Sequence, residues 1–339
     1  MGRVFVTLLI GGVGAFMAWM LAIPAPFLTG PAAMVTLASL MGVQTDIPVP
    51  LRDSCFTAIG LGMGAGVTPE VLASAARWPL SLFVLSAALG VIFFGGAKLL
   101  QRFYSLDRNT ARLSAAPGHL SYVLSLSTEI RADVPVVTVI QALRVLFLTL
   151  LVPAVVSVIS DVDLGMTQSP GAPISLIALG LTAALAVGLG LILKRLHIPA
   201  SYLLAGMICS TIGHGSGLTP GAIPLWVSLP SFAIMGMLIG ARFSGVTMDL
   251  IRRAFGAAFV LAVLALFVTV LAAMIVSASL GFSMIDLLIA FAPGGLETMA
   301  ALAIMLDADP AFVALHHVYR IVFLTFLVPA FVTWDHRVK

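Results

Sequence analysis

An apolar segment that carries a single arginine occurs twice in this chain. The first copy, Arg144–Ala154, reads RVLFLTLLVPA, and the second copy, Arg320–Ala330, reads RIVFLTFLVPA. Eight of the eleven positions are identical, without a gap, at an offset of 176 residues. A segment repeated at this fidelity requires a fold built from two equivalent halves.

The same offset aligns a second motif upstream of each arginine. Pro117-Gly118 and Pro293-Gly294 both lie in an Ala-Pro-Gly-x-Leu sequence that interrupts an apolar segment. We therefore divide the chain into a first repeat at 1–160, a linker at 161–172 and a second repeat at 173–339. The linker is polar and contains both proline and glycine.

Composition assigns the chain to the membrane proteins. Of its 339 residues 60% are hydrophobic and 9% are charged, and the mean hydropathy is +1.14. A soluble globular domain carries about 25% charged residues. This chain has too few charged residues to cover a surface exposed to water. The expected class is an all-α polytopic membrane protein.

The distribution of positive charge indicates how the repeats are oriented. If each Pro-Gly-broken segment is a re-entrant hairpin, each repeat has five crossings, and the two repeats are inverted. With the N-terminus inside, fourteen of the seventeen Lys and Arg residues then lie on the cytoplasmic side, as the positive-inside rule favours. The expectation is ten crossings, two hairpins, and both termini on the cytoplasmic side of a bacterial inner membrane.

Both duplicated arginines are expected near the middle of the membrane. Each lies ten residues into its predicted helix, about 15 Å deep at 1.5 Å per residue. A charge at that depth costs about 2.5–3.5 kcal/mol, so Arg144 and Arg320 should face the protein interior or a polar cavity. Two arginines beside two broken helices suit the binding of a carboxylate or a similar anion.

Two other roles for the arginines stay open. Each could be a structural lock, with Arg144 paired to Glu297 and Arg320 bonded to carbonyl groups around Pro117-Gly118. Alternatively, the site could couple the anion to a proton through Glu297, the acidic residue inside the second hairpin. The repeats differ here, because Ser121 occupies the position of Glu297 and His119 that of Gly295. The expected substrate-binding residues are Arg144, Arg320, Pro117, Gly118, His119, Ser121, Pro293, Gly294, Gly295 and Glu297.

Catalytic and metal motifs are not indicated. The six histidines show no ligand spacing, and the two cysteines form no CxxC motif. No Ser-His-Asp pattern suggests an enzyme, and no soluble basic segment could enter a nucleic-acid groove. The glycine-rich stretch Gly60–Gly66 lacks the strand and the Lys-Ser/Thr of a phosphate loop, and close helix packing explains it better.

The sequence resembles the bacterial AbrB family of membrane proteins. The resemblance rests on the repeated break, on the repeated arginine helix and on the IPASYLLAG run at Ile198–Gly206, and it spans essentially the whole chain. It implies two AbrB-duplication domains, and one member has been named a regulator of gene expression. Some members carry an ammonia monooxygenase label, which implies copper or iron, but the sequence offers no cluster of ligands for either metal. The design is similar to that of carriers with inverted five-helix repeats.

These observations together predict a secondary transporter of a small organic anion, coupled to a proton or another cation such as sodium. The alternative is a membrane-embedded regulator or sensor that binds a ligand without transporting it. The expected partners are the lipid bilayer, the anion and the coupling ion. Nucleic acid is not expected, no cofactor is required, and a homodimer is one option for the assembly.

Overall fold

The computed structural model describes residues 2–67, 78–117, 120–159 and 172–334, and the described part is helical. It contains fourteen helices, and its β structure is confined to one isolated bridge between Pro173 and Ala222. The expectation of an all-α fold is confirmed. Seven of the described helices belong to each repeat: α1 Gly2–Met20, α2 Pro26–Leu40, α3 Val49–Ala65, α4 Trp78–Tyr104, α5 Arg108–Ala115, α6 Leu120–Glu129, α7 Val134–Ile159, α8 Leu176–Arg195, α9 Ser201–Gly215, α10 Leu225–Ala241, α11 Met248–Leu280, α12 Met284–Phe291, α13 Leu296–Met305 and α14 Pro310–Trp334.

Six of the described helices are long and apolar enough to span a membrane. They are α1, α4 and α7 in the first repeat and their counterparts α8, α11 and α14 in the second. The remaining four expected crossings are α2, α3, α9 and α10, which have 15 to 17 residues. About 20 residues span the hydrocarbon core, so the total of ten crossings stays a prediction.

The backbone repeats the duplication that the sequence shows. Residues with positive φ are uncommon outside glycine. Positive φ nevertheless recurs at five pairs of equivalent positions, offset by 175 or 176 residues, and four of these pairs include a residue other than glycine. The pairs are Ala22 with His197, Ala25 with Ala200, Gly42 with Gly217, Ser105 with Gly281, and Arg131 with Asp307. The two repeats therefore share their turns as well as their helices.

Helix capping is duplicated too. The side chain of Asp107 accepts hydrogen bonds from the first turn of α5, and the equivalent Ser283 does the same for α12. Asp133 caps α7 and Asp309 caps α14, each through Oδ1. A side-chain oxygen at this position satisfies backbone N–H groups that have no partner within the helix.

The expected interruptions at the Pro-Gly motifs are confirmed. Helix α5 ends before Ala116 and α12 ends before Ala292, both of which have extended backbone with ψ of 117° and 125°. Proline disfavours helical backbone in the residue before it, and each of these alanines precedes one. Helices α6 and α13 begin a few residues later.

The helices form two compact units. Unit 1 comprises Met1–Ala76, Pro153–Gly245 and Leu296–Ala314, and therefore holds α1–α3, α8–α10 and α13. Unit 2 comprises Arg77–Val152, Val246–Gly295 and Leu315–Lys339. It holds α4–α6, α11, α12 and most of α7 and α14. Equivalent helices are thus gathered into the same unit, apart from α6 and α13.

Equivalent contacts hold unit 1 together. Helix α3 packs on α9 while its counterpart α10 packs on α2. A Cβ on Gly60 of α3 would collide with the carbonyl oxygen of Leu203, and a Cβ on Gly236 of α10 would collide with that of Leu28. The glycine-rich stretch therefore serves close helix packing, as expected from its composition.

Candidate functional site

The second-repeat arginine lies buried in unit 2 and is bonded to the broken helix of its own repeat. The side chain of Arg320 is 3% exposed. Its two terminal nitrogens donate to the carbonyl oxygens of Ala292 at 2.8 Å and Gly294 at 2.6 Å. These carbonyls lie where α12 ends, so the positive charge meets the negative end of a helix dipole. The carbonyl oxygen of Ala292 also accepts from the N–H of Gly294 at 2.8 Å.

The first-repeat arginine occupies the equivalent place with a different set of bonds. One terminal nitrogen of Arg144 donates to the side-chain oxygen of Gln141 at 2.7 Å. The other lies 3.3–3.5 Å from three carbonyl oxygens at the end of α5, those of Ser114, Ala115 and Ala116. Arg144 therefore bonds the same backbone region more loosely than Arg320 does.

A second polar side chain precedes each arginine by three residues and also bonds this backbone. Gln141 Nε2 donates to the carbonyl oxygens of Leu113 and Ala116, each at 2.8 Å. Its equivalent, His317, has Nε2 3.0 Å from the carbonyl oxygen of Ile289, which makes Nε2 the protonated nitrogen. Gln141 and Arg144 with their carbonyl partners form the first clamp, and His317 and Arg320 with theirs form the second clamp.

Helix α14 carries two further polar contacts that the first repeat lacks. His316 lies 2.7 Å from the hydroxyl of Ser81, and Tyr319 lies 2.7 Å from that of Ser86, both on α4. The equivalent residues on α7 are Ile140 and Leu143. Within unit 2, hydrogen bonds from His316 and Tyr319 therefore connect the helix of the second clamp to α4. Ile140 and Leu143 cannot form such bonds beside the first clamp.

The expected site residues fall into three groups. Arg144, Arg320 and the backbone at Pro117, Pro293 and Gly294 are buried in unit 2, and Gly295 is half-buried there. Glu297 belongs to unit 1. Gly118, His119 and the side chain of Ser121 lie outside the described residues.

The expected bond from Arg320 to carbonyls around Pro117-Gly118 stays a prediction, because Gly118 lies outside the described residues. The described bonds of Arg320 go to carbonyls of its own repeat, those of Ala292 and Gly294, which were not expected. Gln141 and His317 were missed as functional residues. Their shared position, three residues before each arginine in an apolar helix, was a usable signal, because equivalent polar residues in such a helix need partners.

A cavity of about 1050 Å³ lies in unit 1. It is bounded by the first residues of α2 and α10 and by the last residues of α3, α9 and α13. On α3 its lining runs from Gly66 back to Ala58, a depth of about 12 Å at 1.5 Å per residue. The cavity therefore penetrates roughly half the length of α3.

Glu297 lies beyond the floor of this cavity. The lining on α13 consists of Ala303, Ile304 and Met305, whereas Glu297 is in the first turn of the same helix, about 9 Å further along its axis. The charge of Glu297 acts on the thiol of Cys55, one turn of α3 beyond the deepest lining residue on that helix. It also acts on Arg242, where α10 ends.

The lining of the cavity is apolar and carries negative charge at its rim. Its ionisable residues are His214, Asp307 and Asp309, and no lysine or arginine of the described chain contributes to it. Asp307 is exposed. Burial raises the pKa of Asp309, although the backbone N–H groups of Phe312 and Ala311 oppose this shift. The two nitrogens of His214 face the carbonyl oxygens of Ser210 and Gly221.

The chain is similar to two bacterial proteins along most of its length. It is 26% identical over 320 residues to an Escherichia coli (strain K12) protein named "Putative regulator AbrB", covering 91% of this chain and 89% of that one. It is 29% identical over 279 residues to "Uncharacterized protein YhjN" of Bacillus subtilis (strain 168), covering 76% of this chain and 70% of that one. The family model described as "Transition state regulatory protein AbrB" matches residues 27–335. This chain, with its two clamped helix breaks and its long apolar helices, belongs to the AbrB family.

Proposed function

We propose that this chain is a secondary transporter of a small organic anion, coupled to a proton or another cation, with the anion bound at the two helix breaks. The observation that carries the proposal is the pair of clamps in unit 2. In a membrane, irregular backbone is tolerated where it is buried in protein or lines a polar cavity. Transporters use such broken helices to direct N-terminal dipoles at anionic substrates.

The clamps suggest an indirect role for the arginines. Their guanidinium N–H groups donate to backbone carbonyl oxygens where α5 and α12 end. By compensating these acceptors, each guanidinium stabilises the break of its own repeat. In unit 2 the first turn of α6 is then left to offer backbone N–H groups to an anion. Arg144 and Arg320 are positioning residues in this mechanism, and backbone N–H groups bind the anion.

The inverted orientation is part of the proposal, and unit 1 supports it. Helix α2 contributes its first residues to the cavity, whereas its counterpart α9 contributes its last, including His214. Helix α3 contributes its last residues and its counterpart α10 its first, including Leu225. Equivalent helices therefore run in opposite directions relative to this cavity. With the positive-inside rule, this orientation gives cytoplasmic termini in the inner membrane and places the cavity at the opposite face.

A flux measurement tests the proposal. Purified protein in proteoliposomes should accumulate small radiolabelled carboxylates when a proton or sodium gradient is imposed. Arg320→Lys keeps the charge but loses the fork that bonds two carbonyls at once, so transport should fall at least tenfold. Arg253→Lys, at an exposed arginine on α11, is the matched control and should transport normally.

The competing function is a membrane-embedded regulator, which the name of the Escherichia coli relative favours. The same experiment separates the two functions. A regulator would bind a carboxylate, seen as a rise in melting temperature, but would show no flux under any gradient. That result would replace the transporter proposal.

A further inference from the structure

We propose that the cavity in unit 1 is the entry path of the coupling cation and that Glu297, beyond its floor, is the group that receives the cation. This inference rests on the proposed coupled transport and extends it to a second site. The ligand class is a monovalent cation, either a proton or sodium. The anion would be bound elsewhere, at the helix breaks of unit 2.

The charges around the cavity favour cations over anions. Asp307 and Asp309 lie at its rim, and the described lining contains no lysine or arginine. A cleft lined by one sign of charge, with apolar walls, concentrates ions of the opposite sign. An organic anion would be repelled by the same potential, which separates this path from the anion site.

The route beyond the cavity is short. Ile59 on α3 and Phe232 on α10 both line the cavity and are almost fully buried. Next to them, the thiol of Cys55 donates to the carbonyl oxygen of Ser231 at 2.8 Å and lies within electrostatic range of Glu297. A shift of the Ile59 and Phe232 side chains would connect the cavity to the carboxylate. These two residues are the expected gate.

Glu297 lies within electrostatic range of Arg242, at the end of α10 away from the cavity. A cation arriving from the cavity would therefore compete with Arg242 for the carboxylate. Arg242→Gln should strengthen the effect of the cation at Glu297, because the competing charge is removed.

The charge preference of the path can be measured with cysteine reagents. In a Cys55→Ser, Cys209→Ser background, Ala58→Cys should react faster with a cationic methanethiosulfonate than with an anionic one of similar size. The matched control is Ser216→Cys, which is exposed at the end of α9. The cationic-to-anionic rate ratio at position 58 should exceed that at position 216 about tenfold, and Asp307→Asn should reduce it. Equal ratios at the two positions would overturn the cation path.

The arrival of the cation at Glu297 can be measured through the reactivity of the natural Cys55 thiol. With Cys209→Ser, Cys55 is the single cysteine, and its alkylation by N-ethylmaleimide is timed in sealed vesicles without any organic anion. Because protonation slows the alkylation of any thiol, each rate is divided by that of the exposed Ser216→Cys thiol, in a Cys55→Ser, Cys209→Ser background, under the same conditions. Replacing choline with sodium at fixed pH, or lowering the pH without sodium, should change this relative rate at least threefold in one of the two series. Glu297→Gln should abolish that change, and the active series identifies the cation.

Two outcomes would overturn this inference. One is an identical cation response in the wild type and in Glu297→Gln, and the other is a response that appears only when the cation is added at the face where Arg242 lies. Neither measurement involves transport of the anion. A failure of the proposed transport function would therefore remain distinguishable from a failure of this inference.

Discussion

The two clamps bond equivalent backbone with different side chains. In the first clamp the amide of Gln141 donates to two carbonyls at 2.8 Å, while Arg144 reaches the same region at 3.3–3.5 Å. In the second clamp His317 bonds one carbonyl, and Arg320 makes two short bonds. The duplication has kept the backbone acceptors, whereas the donors have diverged. Both clamps use two side chains, but the two shortest bonds to carbonyls come from Gln141 in the first clamp and from Arg320 in the second.

The largest expected effect follows from this dependence. Arg320→Met keeps an apolar stem but leaves the carbonyls of Ala292 and Gly294 without the guanidinium, which should cost about 2–5 kcal/mol of unfolding free energy. Arg144→Met should cost less than half as much, because Gln141 still bonds Ala116. Denaturant unfolding of both variants in detergent checks the comparison. Equal losses of unfolding free energy in the two variants would show that the two arginines stabilise the protein equally.

The crossing of α3 with α9 and the equivalent crossing of α10 with α2 offer a comparison in unit 1, where the repeats are more alike. Gly60→Ala and Gly236→Ala should each cost about 1–3 kcal/mol, since the added methyl group meets a backbone carbonyl in both cases. Gly180→Ala, which has open space around its Cβ position, should not destabilise the protein. Thermal unfolding of the three variants measures the difference. A large asymmetry between Gly60 and Gly236 would contradict the equivalence of these contacts.

The donor in the second clamp can be exchanged for the donor of the first. His317→Gln should retain a bond to Ile289, as Gln141 does at the equivalent carbonyl, and should change the unfolding free energy by less than about 1 kcal/mol. His317→Leu removes the donor and should cost more than the glutamine variant. If both variants melt alike, the His317 bond contributes nothing to the clamp.

The smallest expected effect is the pH dependence of stability that arises from Asp309, the cap of α14. Burial raises the native pKa of Asp309, so the folded state binds a proton there more tightly than the unfolded state does. The resulting stabilisation is complete below the ordinary carboxyl pKa and is lost as pH rises through the native pKa. Lowering the pH from neutrality should therefore stabilise the wild type relative to Asp309→Asn, by an amount that solvent screening keeps small. Thermal unfolding of both proteins across this pH range measures the difference, and an equal pH response in the two proteins would refute this role.

Much of the fold could be predicted because the duplication is strong in the sequence. The offset of 176 residues is enough to align the breaks and the arginines, and the glycine-rich stretch indicates close packing. The bonds of Arg320 to Ala292 and Gly294 were not predicted, because a motif does not reveal which of two equivalent sets of carbonyls a long side chain reaches. The unit 1 cavity was missed because its lining combines the ends of five helices. These helices are distant in sequence, and their ends have no common motif.

The inverted orientation of the two repeats is the central claim, and the sidedness of one equivalent pair tests it most directly. Arg131 and Asp307 are exposed and share a left-handed backbone conformation at equivalent positions. Each is changed to cysteine in a Cys55→Ser, Cys209→Ser background and labelled with a membrane-impermeant maleimide in sealed vesicles of known orientation. Inverted repeats predict that Arg131→Cys is labelled from the cytoplasmic face, together with Arg112→Cys. Asp307→Cys should be labelled from the opposite face, together with Ile285→Cys. Labelling of positions 131 and 307 from the same face would show that the repeats are parallel and would contradict this account.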